Sequence, residues 1–184
     1  LQGMTSEAPE VRAMLSALTP KVQSCREELD AQAVGNALYG LQGMTSEAPE
    51  VRAMLSALTP KVQSCREELN AQAVGNALYG LRRFFSGPSK FYERGVSTII
   101  ERVVVELDRV LGDLALLSTF EKRDLMRNLL LFSHFTRDNT VLTCDSMKDR
   151  IDQLRAFLPI QADDKERGGS RTERDIFKTV ERVL

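Results

Sequence analysis

The amino-acid sequence predicts an all-α fold, an α-solenoid of paired antiparallel helices with 40-residue repeats. Residues 1–40 and 41–80 are identical except that Asp30 in the first copy is Asn70 in the second. Self-similarity at a period of this length is typical of arrays in which each unit buries its apolar face against its neighbours. Apolar residues recur at the spacing of an α-helix, and no strand-like alternation of comparable strength is present.

The first helix of each repeat is predicted to open near Ser6 and Pro9, a capping residue followed by a proline in the first turn. Its apolar stripe consists of Val11, Met14, Leu15, Leu18 and Val22. Because a proline inside a helix costs about 3 kcal/mol, Pro20 predicts either a kink or a restart with Thr19 as the N-cap.

The second helix is predicted to begin at Asp30, since Asp and Asn are near-equal N-caps and the two copies differ only at this position. Its apolar stripe consists of Val34, Ala37, Leu38, Leu41 and Met44. Gly35 and Gly40 lie inside this helix and form, with two alanines, a small-residue surface that predicts close approach of another helix. Asn36 is interpreted as a buried amide that hydrogen-bonds a neighbouring helix or loop.

Two repeats occupy residues 1–84 and a degenerate third helix pair is predicted over 85–136. The first repeat starts in the tail of a second helix, because residues 1–4 match residues 41–44, and we therefore expect a preceding repeat. The third pair has a predicted first helix over 97–117. Its second helix places apolar residues at the positions that Val34, Leu38, Leu41 and Met44 occupy in the earlier second helix, namely Leu125, Leu129, Phe132 and Phe135.

The remaining chain is predicted to hold two more helices. A C-terminal helix lies within residues 137–160 and is capped by Asp145 or Ser146. Residues 161–169 form a charged linker without apolar periodicity. Residues 170–184 form a terminal amphipathic helix, because they open with the capping box Ser-Arg-Thr-Glu.

Composition excludes several classes of function. The 184 residues carry 25 Lys and Arg against 26 Asp and Glu, which excludes a strongly basic nucleic-acid module. Three cysteines and one histidine, without metal-ligand spacing, give no disulfide framework or zinc site and fit a reducing, intracellular compartment. No catalytic or phosphate-binding motif is present, so we expect neither enzymatic activity nor a cofactor. No apolar run approaches the ~20 residues that cross a bilayer, and we expect no membrane association.

A polar stripe on the first helix is the first candidate binding site. It consists of Arg12, Ser16, Thr19 and Gln23, and it recurs in the second copy as Arg52, Ser56, Thr59 and Gln63. Two identical stripes one repeat apart would offer the same hydrogen-bonding groups twice, as in repeat proteins that read single-stranded RNA one base per repeat. The alternative is that any exposed helix face is polar.

A basic–aromatic cluster follows the second copy and is the second candidate binding site. Its candidate RNA contacts are Arg82, Arg83, Lys90, Tyr92 and Arg94, which are interleaved with phenylalanines. Basic and aromatic side chains in this pattern are suited to phosphate contacts and base stacking. The alternative is that Phe84 takes the place of Met44 in the core and the other aromatic residues pack a cap.

The segment Asn70-Ala-Gln-Ala-Val-Gly-Asn-Ala-Leu-Tyr-Gly-Leu81, preceded by Pro49-Glu-Val-Arg-Ala-Met-Leu-Ser-Ala-Leu, resembles octotricopeptide-type repeats. The resemblance implies a paired-helix solenoid that acts on organellar RNA in processing, stability or translation, in a chloroplast or mitochondrion. Tyr39 and Tyr79 correspond to an aromatic position of that family. Family members often carry a C-terminal RAP domain, and the segment that begins at Ser170 resembles the helix that precedes one. The RAP domain itself is not in this sequence.

Two functions follow as hypotheses. The first is a non-catalytic module that binds single-stranded RNA through the polar stripe and the basic–aromatic cluster. The second is a protein–protein interaction scaffold. The scaffold is favoured by the charge of residues 1–80, which hold six basic and nine acidic side chains.

Overall fold

The computed structural model describes residues 4–85, 94–135 and 144–157. Within these ranges the protein is all-helical, as the sequence predicts. The α-helices are α1 (Pro9–Ser24), α2 (Ala31–Tyr39), α3 (Pro49–Ser64), α4 (Ala71–Leu81), α5 (Arg94–Gly112), α6 (Thr119–Phe135) and α7 (Cys144–Ala156). Short 3-10 helices follow α4 at Arg82–Phe85 and α5 at Leu114–Leu116.

The helices pack in two rows, and successive helices alternate between the rows. Helices α1, α3 and α5 contact one another in that order and form the first row. Helices α2, α4 and α6 form the second row in the same order, and α7 packs against α6 and α5. One apolar core runs between the rows from Val11 in α1 to Leu154 in α7.

The first helix of each copy begins at its proline. Pro9 occupies the first turn, but the N-cap residue is Ala8, which makes no side-chain cap bond. The prediction that Ser6 caps α1 is therefore wrong. The Ser6 hydroxyl is instead 3.3 Å from the Thr45 hydroxyl and accepts a hydrogen bond from the Thr45 N–H at 3.2 Å, so Ser6 ties the first copy to the second.

Helix α1 runs without interruption through Pro20, so the predicted restart with Thr19 as N-cap is wrong. Thr19 is buried and its hydroxyl donates to the carbonyl of Leu15, one turn earlier, at 2.8 Å. Pro20 cannot donate to the carbonyl of Ser16. Because Ser16 lies on the exposed side of the helix, solvent can reach the position of that lost bond.

The predicted start of the second helix is confirmed in both copies. Asp30 Oδ1 accepts a hydrogen bond from the N–H of Ala33 at 2.6 Å, and Asn70 Oδ1 accepts from the N–H of Ala73 at 2.9 Å. Both side chains therefore satisfy a backbone donor of the first turn, as an N-cap does. The single difference between the copies leaves the cap in place.

The end of the second helix differs between the copies. Helix α2 ends at Tyr39 and a tight turn follows, whereas α4 continues through Gly80 to Leu81. The turn after α2 contains Gly43, where a Cβ would overlap the carbonyl oxygen of Met4. The equivalent position after α4 is Arg83, and the chain there continues as a 3-10 helix instead. The expectation of one helix through Met44 is thus wrong, although Met44 itself is buried.

The predicted close approach of second helices occurs between α2 and α4. A Cβ placed on Gly35 would lie 2.8 Å from the Cα of Ala73, closer than side chains tolerate. Asn36 is exposed rather than buried, so its interpretation as a buried amide is wrong. The polar position on this helix faces solvent and the small residues face the neighbouring helix.

The third helix pair is α5 and α6. Helix α5 ends at Gly112, earlier than predicted, and α6 begins after Ser118, which forms a reciprocal cap with Glu121. Three of the predicted core positions of α6 are buried, namely Leu125, Leu129 and Phe132. A helix is present within the predicted C-terminal range as α7, whose apolar residues Met147, Ile151 and Leu154 are buried. Because α7 begins at Cys144, Asp145 and Ser146 lie inside the helix, and the prediction that one of them caps it is wrong. The linker over 161–169 and the helix over 170–184 lie outside the described residues.

Candidate functional site

The polar stripe lies on the first row of helices, on α1 and α3. Ser16 and Gln23 are exposed on α1, and their counterparts Ser56 and Gln63 are exposed on α3. Because α1 and α3 are neighbours in the row, the two serine–glutamine sets lie on adjacent helices. These four side chains carry hydroxyl and amide groups that can both donate and accept hydrogen bonds. We call them the serine–glutamine pairs.

The threonines of the stripe are not available in the predicted way. The hydroxyl of Thr59 donates to the carbonyl of Leu55 at 2.8 Å, as that of Thr19 does to Leu15. Thr19 is buried and Thr59 is half-buried. A helical threonine readily bonds the carbonyl four residues earlier. The assignment of Thr19 to the binding stripe is therefore wrong, because its position on the helix turns it to the core.

The arginines of the stripe are half-buried. The guanidinium of Arg52 donates to the carbonyls of Ser46 at 2.7 Å and Glu47 at 2.9 Å, in the loop before α3. Arg52 thus holds that loop against its helix. Its counterpart Arg12 is at the same position on α1. Any electrostatic contribution of Arg52 to a ligand would have to be made while it keeps these backbone bonds.

The second candidate site contains a stack of two tyrosines and an arginine. The rings of Tyr39 and Tyr79 stack with centroids 5.4 Å apart and planes 22° apart. The guanidinium carbon of Arg82 lies 3.6 Å from the centre of the Tyr79 ring and Arg82 also donates to the Tyr79 carbonyl. Burial lowers the pKa of Arg82, and the neighbouring Tyr79 partly offsets that shift. Arg83 beside it is exposed.

Sequence reasoning matched both tyrosines to a family position but missed their contact. The signal was present, because the tyrosines are one repeat apart and Arg82 follows Tyr79 by three residues, which places it on the same helix face. Cation–π contacts of this kind are worth ~0.5–2 kcal/mol, so the stack also stabilises the second row.

The rest of the basic–aromatic cluster divides between core and undescribed chain. Phe84 is buried at the position of Met44, as the core alternative predicts. Lys90 and Tyr92 lie outside the described residues. Arg94 is the first residue of α5, and its side chain is not described. Of the five candidate contacts in this cluster, the structure therefore places only Arg82 and Arg83.

The two candidate sites lie on different rows. The serine–glutamine pairs are on α1 and α3, whereas Arg82 and Arg83 follow α4 at the end of a second-row helix. The sequence hypothesis assigns RNA binding to both sites. The placed residues form two separate groups.

Bonds between successive units were missed by sequence reasoning. Glu67 belongs to an exposed glutamate pair after α3, Glu67-Glu68, and it accepts a hydrogen bond from the N–H of Ala31 at 3.0 Å. Lys61 donates to the carbonyl of Cys25 and, at 3.4 Å, to that of Glu27. The second copy thus holds the loop between α1 and α2.

The next interface uses a buried carboxylate. Glu106 of α5 is 4% exposed and accepts a hydrogen bond from the N–H of Leu69 at 3.2 Å. It also pairs with Arg102 at 2.6 Å and with Arg109 at 3.0 Å. Arg109 donates to the Leu69 carbonyl at 2.6 Å. Both the N–H and the carbonyl of Leu69, in the loop between α3 and α4, are therefore hydrogen-bonded to side chains of α5.

An open groove of about 280 Å³ lies where α4, α5 and α6 meet, lined by residues that include Arg109 and Leu116. Leu116 is 83% exposed at its rim, and Phe120 nearby is 78% exposed. In the described ranges no group of His, Cys, Asp and Glu is arranged to hold a metal ion. None of the helices in those ranges is long and apolar enough to cross a membrane.

Comparison with protein-family models, with curated proteins and with solved structures finds no match to this chain. A function must therefore be argued from the described residues themselves. The exposed groups that repeat at fixed positions on neighbouring helices are the most informative of these.

Proposed function

We propose that the chain is a non-catalytic segment of an α-solenoid with 40-residue repeats that binds single-stranded RNA along its first row. The observation that carries the proposal is the repetition of the serine–glutamine pairs on adjacent helices α1 and α3. Neighbouring packed helices are about 8–10 Å apart, so an extended strand that crosses the row would meet the same groups at each helix. Base edges of an unpaired strand are open to such hydrogen bonds.

The order of packing supports the solenoid part of the proposal. Each helix pair contacts the next pair in the chain, and the same pattern continues from the two copies to α5 and α6. In a stacked array, equivalent surface positions form lines across the repeats. Identical copies at two places in such a line predict the same nucleotide preference at both.

The charge of the repeats limits the expected affinity. Residues 1–80 hold six basic and nine acidic side chains, and Arg52 is engaged with backbone carbonyls. Few phosphates would be neutralised, and the logarithm of affinity falls with that of salt by only about 0.7 per phosphate on single strands. We therefore expect weak binding with a shallow salt dependence, dominated by hydrogen bonds to bases.

The test is binding of labelled RNA homopolymers, measured by fluorescence anisotropy at two salt concentrations. The test variant is Gln23→Ala with Gln63→Ala, and the matched control is Gln32→Ala with Gln72→Ala on the second row, where both glutamines are also exposed. The double variant removes two hydrogen bonds to the RNA, each of which contributes about 1 kcal/mol. We therefore expect it to bind RNA about tenfold or more weakly than the parent. The control should bind as the parent does. Absence of binding to every homopolymer, or equal losses in both variants, would exclude this function.

A protein-binding scaffold is the second candidate, and it is favoured by exposed Leu116, which lines the groove, and by exposed Phe120, which precedes the lining residue Glu121 in the chain. Large apolar side chains exposed around a groove are typical of interaction sites. A photo-crosslinking residue in place of Phe120 should then capture a partner protein, whereas one in place of exposed Val105 on α5 should not. Equal labelling from both positions would exclude a specific partner at the groove.

A further inference from the structure

The two copies share one sequence but have different neighbours. The second copy packs between the first copy and the α5–α6 pair, whereas the first copy packs only against the second among the described helices. A residue that is buried in one copy and exposed in the other therefore identifies a surface of the repeat that a neighbouring unit covers.

One face of the first helix is covered in the second copy and open in the first. Leu58 on α3 is 6% exposed, whereas its counterpart Leu18 on α1 is 39% exposed. The same difference holds for Met54, Ala57, Val62 and Cys65, whose counterparts are Met14, Ala17, Val22 and Cys25. Burial of this set removes an apolar face of α3 from water, which is the dominant favourable term in such packing.

The covered face of α3 is turned toward the first copy. Lys61 lies on it and reaches the carbonyls of Cys25 and Glu27 in the first copy. Leu58 and Cys65 are three and four residues from Lys61, and residues at these separations share one side of a helix. The neighbour that covers this side of α3 is therefore the first copy.

The second helix of the repeat also has one side that is covered in the second copy and more open in the first. The side of α4 that contains Ala73 and Gly80 meets α2, because a Cβ on Gly80 would overlap the carbonyl oxygen of Leu38 and Gly35 closes on Ala73. In the first copy the position equivalent to Ala73 is Ala33, which is less buried. This side of α2 points away from the second copy.

The polar bonds of the interface have exposed counterparts as well. In the second copy Lys61 and Glu67 bind the backbone of the first copy, Glu67 at the N–H of Ala31. Their counterparts Lys21 and Glu27 are exposed at the same positions of the first copy. We define the open face as the surface of the first copy that contains Leu18, Lys21, Cys25, Glu27 and Ala33.

We propose that the open face is a docking surface for a further repeat of the same sequence, stacked on the first copy as the first copy is stacked on the second. The first copy offers three groups to the second: a loop carbonyl to Lys61, the N–H at the start of α2 to Glu67, and a glycine to Ala73. A partner on the open face must offer the same three groups. A repeat of this sequence presents all three. The inference depends on the stacking of repeats and is independent of RNA binding.

A second molecule of this chain fits the open face less well than an added repeat. The surface that complements the open face is the opposite side of a repeat. In the first copy that side is covered by the second copy, and in the second copy it is covered by α5 and α6. Among its described helices, the folded chain therefore has no exposed surface that complements the open face. A repeat added to the array would supply that surface.

The experiment inserts one additional copy of residues 41–80 directly after residue 40, in the full chain with Cys144→Ser. Reaction of thiols with a maleimide under native conditions is then counted. In the two-copy chain we expect Cys25 to react fast and Cys65 slowly, because the former is exposed and the latter buried. In the three-copy chain docking predicts one fast thiol and two slow ones. Two or more fast thiols would overturn the proposal, whether the added copy is undocked or unfolded.

A control variant carries Leu58→Glu in the inserted copy alone. A carboxylate at this buried position should prevent that copy from docking on the first one, and a second fast thiol should then appear. Retention of a single fast thiol in this variant would show that protection does not come from this face. Protection of Cys25 in the two-copy chain that grows with protein concentration would assign the face to a second molecule and would also overturn the proposal.

Discussion

Gly80 packs against the backbone of Leu38 so closely that a Cβ at Gly80 would overlap the Leu38 carbonyl oxygen. The two residues belong to α4 and the end of α2, the first two helices of the second row. A glycine inside a helix is normally unfavourable by about 1 kcal/mol relative to alanine. At this position the absence of a side chain allows two helices to touch through their backbones.

Gly80→Ala should therefore destabilise the protein despite the better helix propensity of alanine. The contact is with backbone atoms, which cannot move aside as a flexible side chain can, and overpacking of this kind costs about 1–3 kcal/mol. Gly112→Ala is the control, because nothing lies within 4 Å of a Cβ there. Urea denaturation should show a lower midpoint for the first variant and an unchanged or slightly higher one for the second. Equal midpoints would contradict the close approach of α2 and α4.

Leu18→Glu and Leu58→Glu form a matched pair, because the same substitution enters the same local sequence in two settings. Leu58 is 6% exposed, and burial of a carboxylate there should lower the free energy of unfolding by about 2–4 kcal/mol. Leu18 is 39% exposed, and its substitution should cost about 0.5 kcal/mol or less, as at most surface positions. Chemical denaturation of both variants measures the difference. Similar losses would show that the two copies have the same neighbours.

The features that the sequence predicted correctly are those decided within one helix or one repeat. Asp30 is an N-cap because its side chain reaches the N–H of Ala33 three residues later. The apolar stripe that includes Leu38 is buried because its spacing matches one side of a helix. Gly35 allows close approach because small residues recur on the same side.

The features that were missed depend on a neighbouring unit or on the direction of one side chain. Ser6 is a residue type that often caps helices, but its hydrogen-bond partner, Thr45, comes from the next copy. Glu67 is a charged residue of the kind expected to face solvent, but it accepts a hydrogen bond from the N–H of Ala31 at the start of α2 in the preceding copy. Thr19 has the spacing of the polar stripe, yet its hydroxyl bonds its own helix. A single sequence does not show which residue of the neighbouring unit will be the partner of Ser6 or Glu67.

The start of α6 predicts a pH-dependent contribution to stability. Glu121 accepts hydrogen bonds from the hydroxyl of Ser118 at 2.6 Å and from its N–H at 2.9 Å, and these bonds lower the pKa of the Glu121 carboxyl. Because the folded state favours the charged form, this contribution is present above the pKa of the unfolded chain. It is lost as the pH falls through the lower pKa of the folded state.

Titration of Glu121 followed by NMR should therefore give a pKa below that of an ordinary glutamate, and Ser118→Ala should raise it. The stability difference between the parent and Glu121→Gln should also shrink as the solution is acidified. A Glu121 titration unchanged by Ser118→Ala would contradict the reciprocal cap.

Glu67 and Glu106 allow the last comparison, since each holds a backbone N–H of the preceding unit. Glu67 is exposed and accepts one such bond, from Ala31. Glu106 is 4% exposed and also pairs with Arg102 and Arg109, so its substitution would leave two guanidinium groups beside a neutral side chain. The arginines are partly exposed to water, which reduces the penalty of losing their partner.

Glu106→Gln should consequently lower the free energy of unfolding by about 2–3 kcal/mol, whereas Glu67→Gln should lower it by about 1 kcal/mol or less. Added salt should narrow the gap only slightly, because the buried carboxylate is weakly screened. Denaturation at low and high salt concentration measures both effects. A larger loss for Glu67→Gln would mean that the exposed bond at the start of α2, rather than the buried carboxylate of α5, is the stronger link between units.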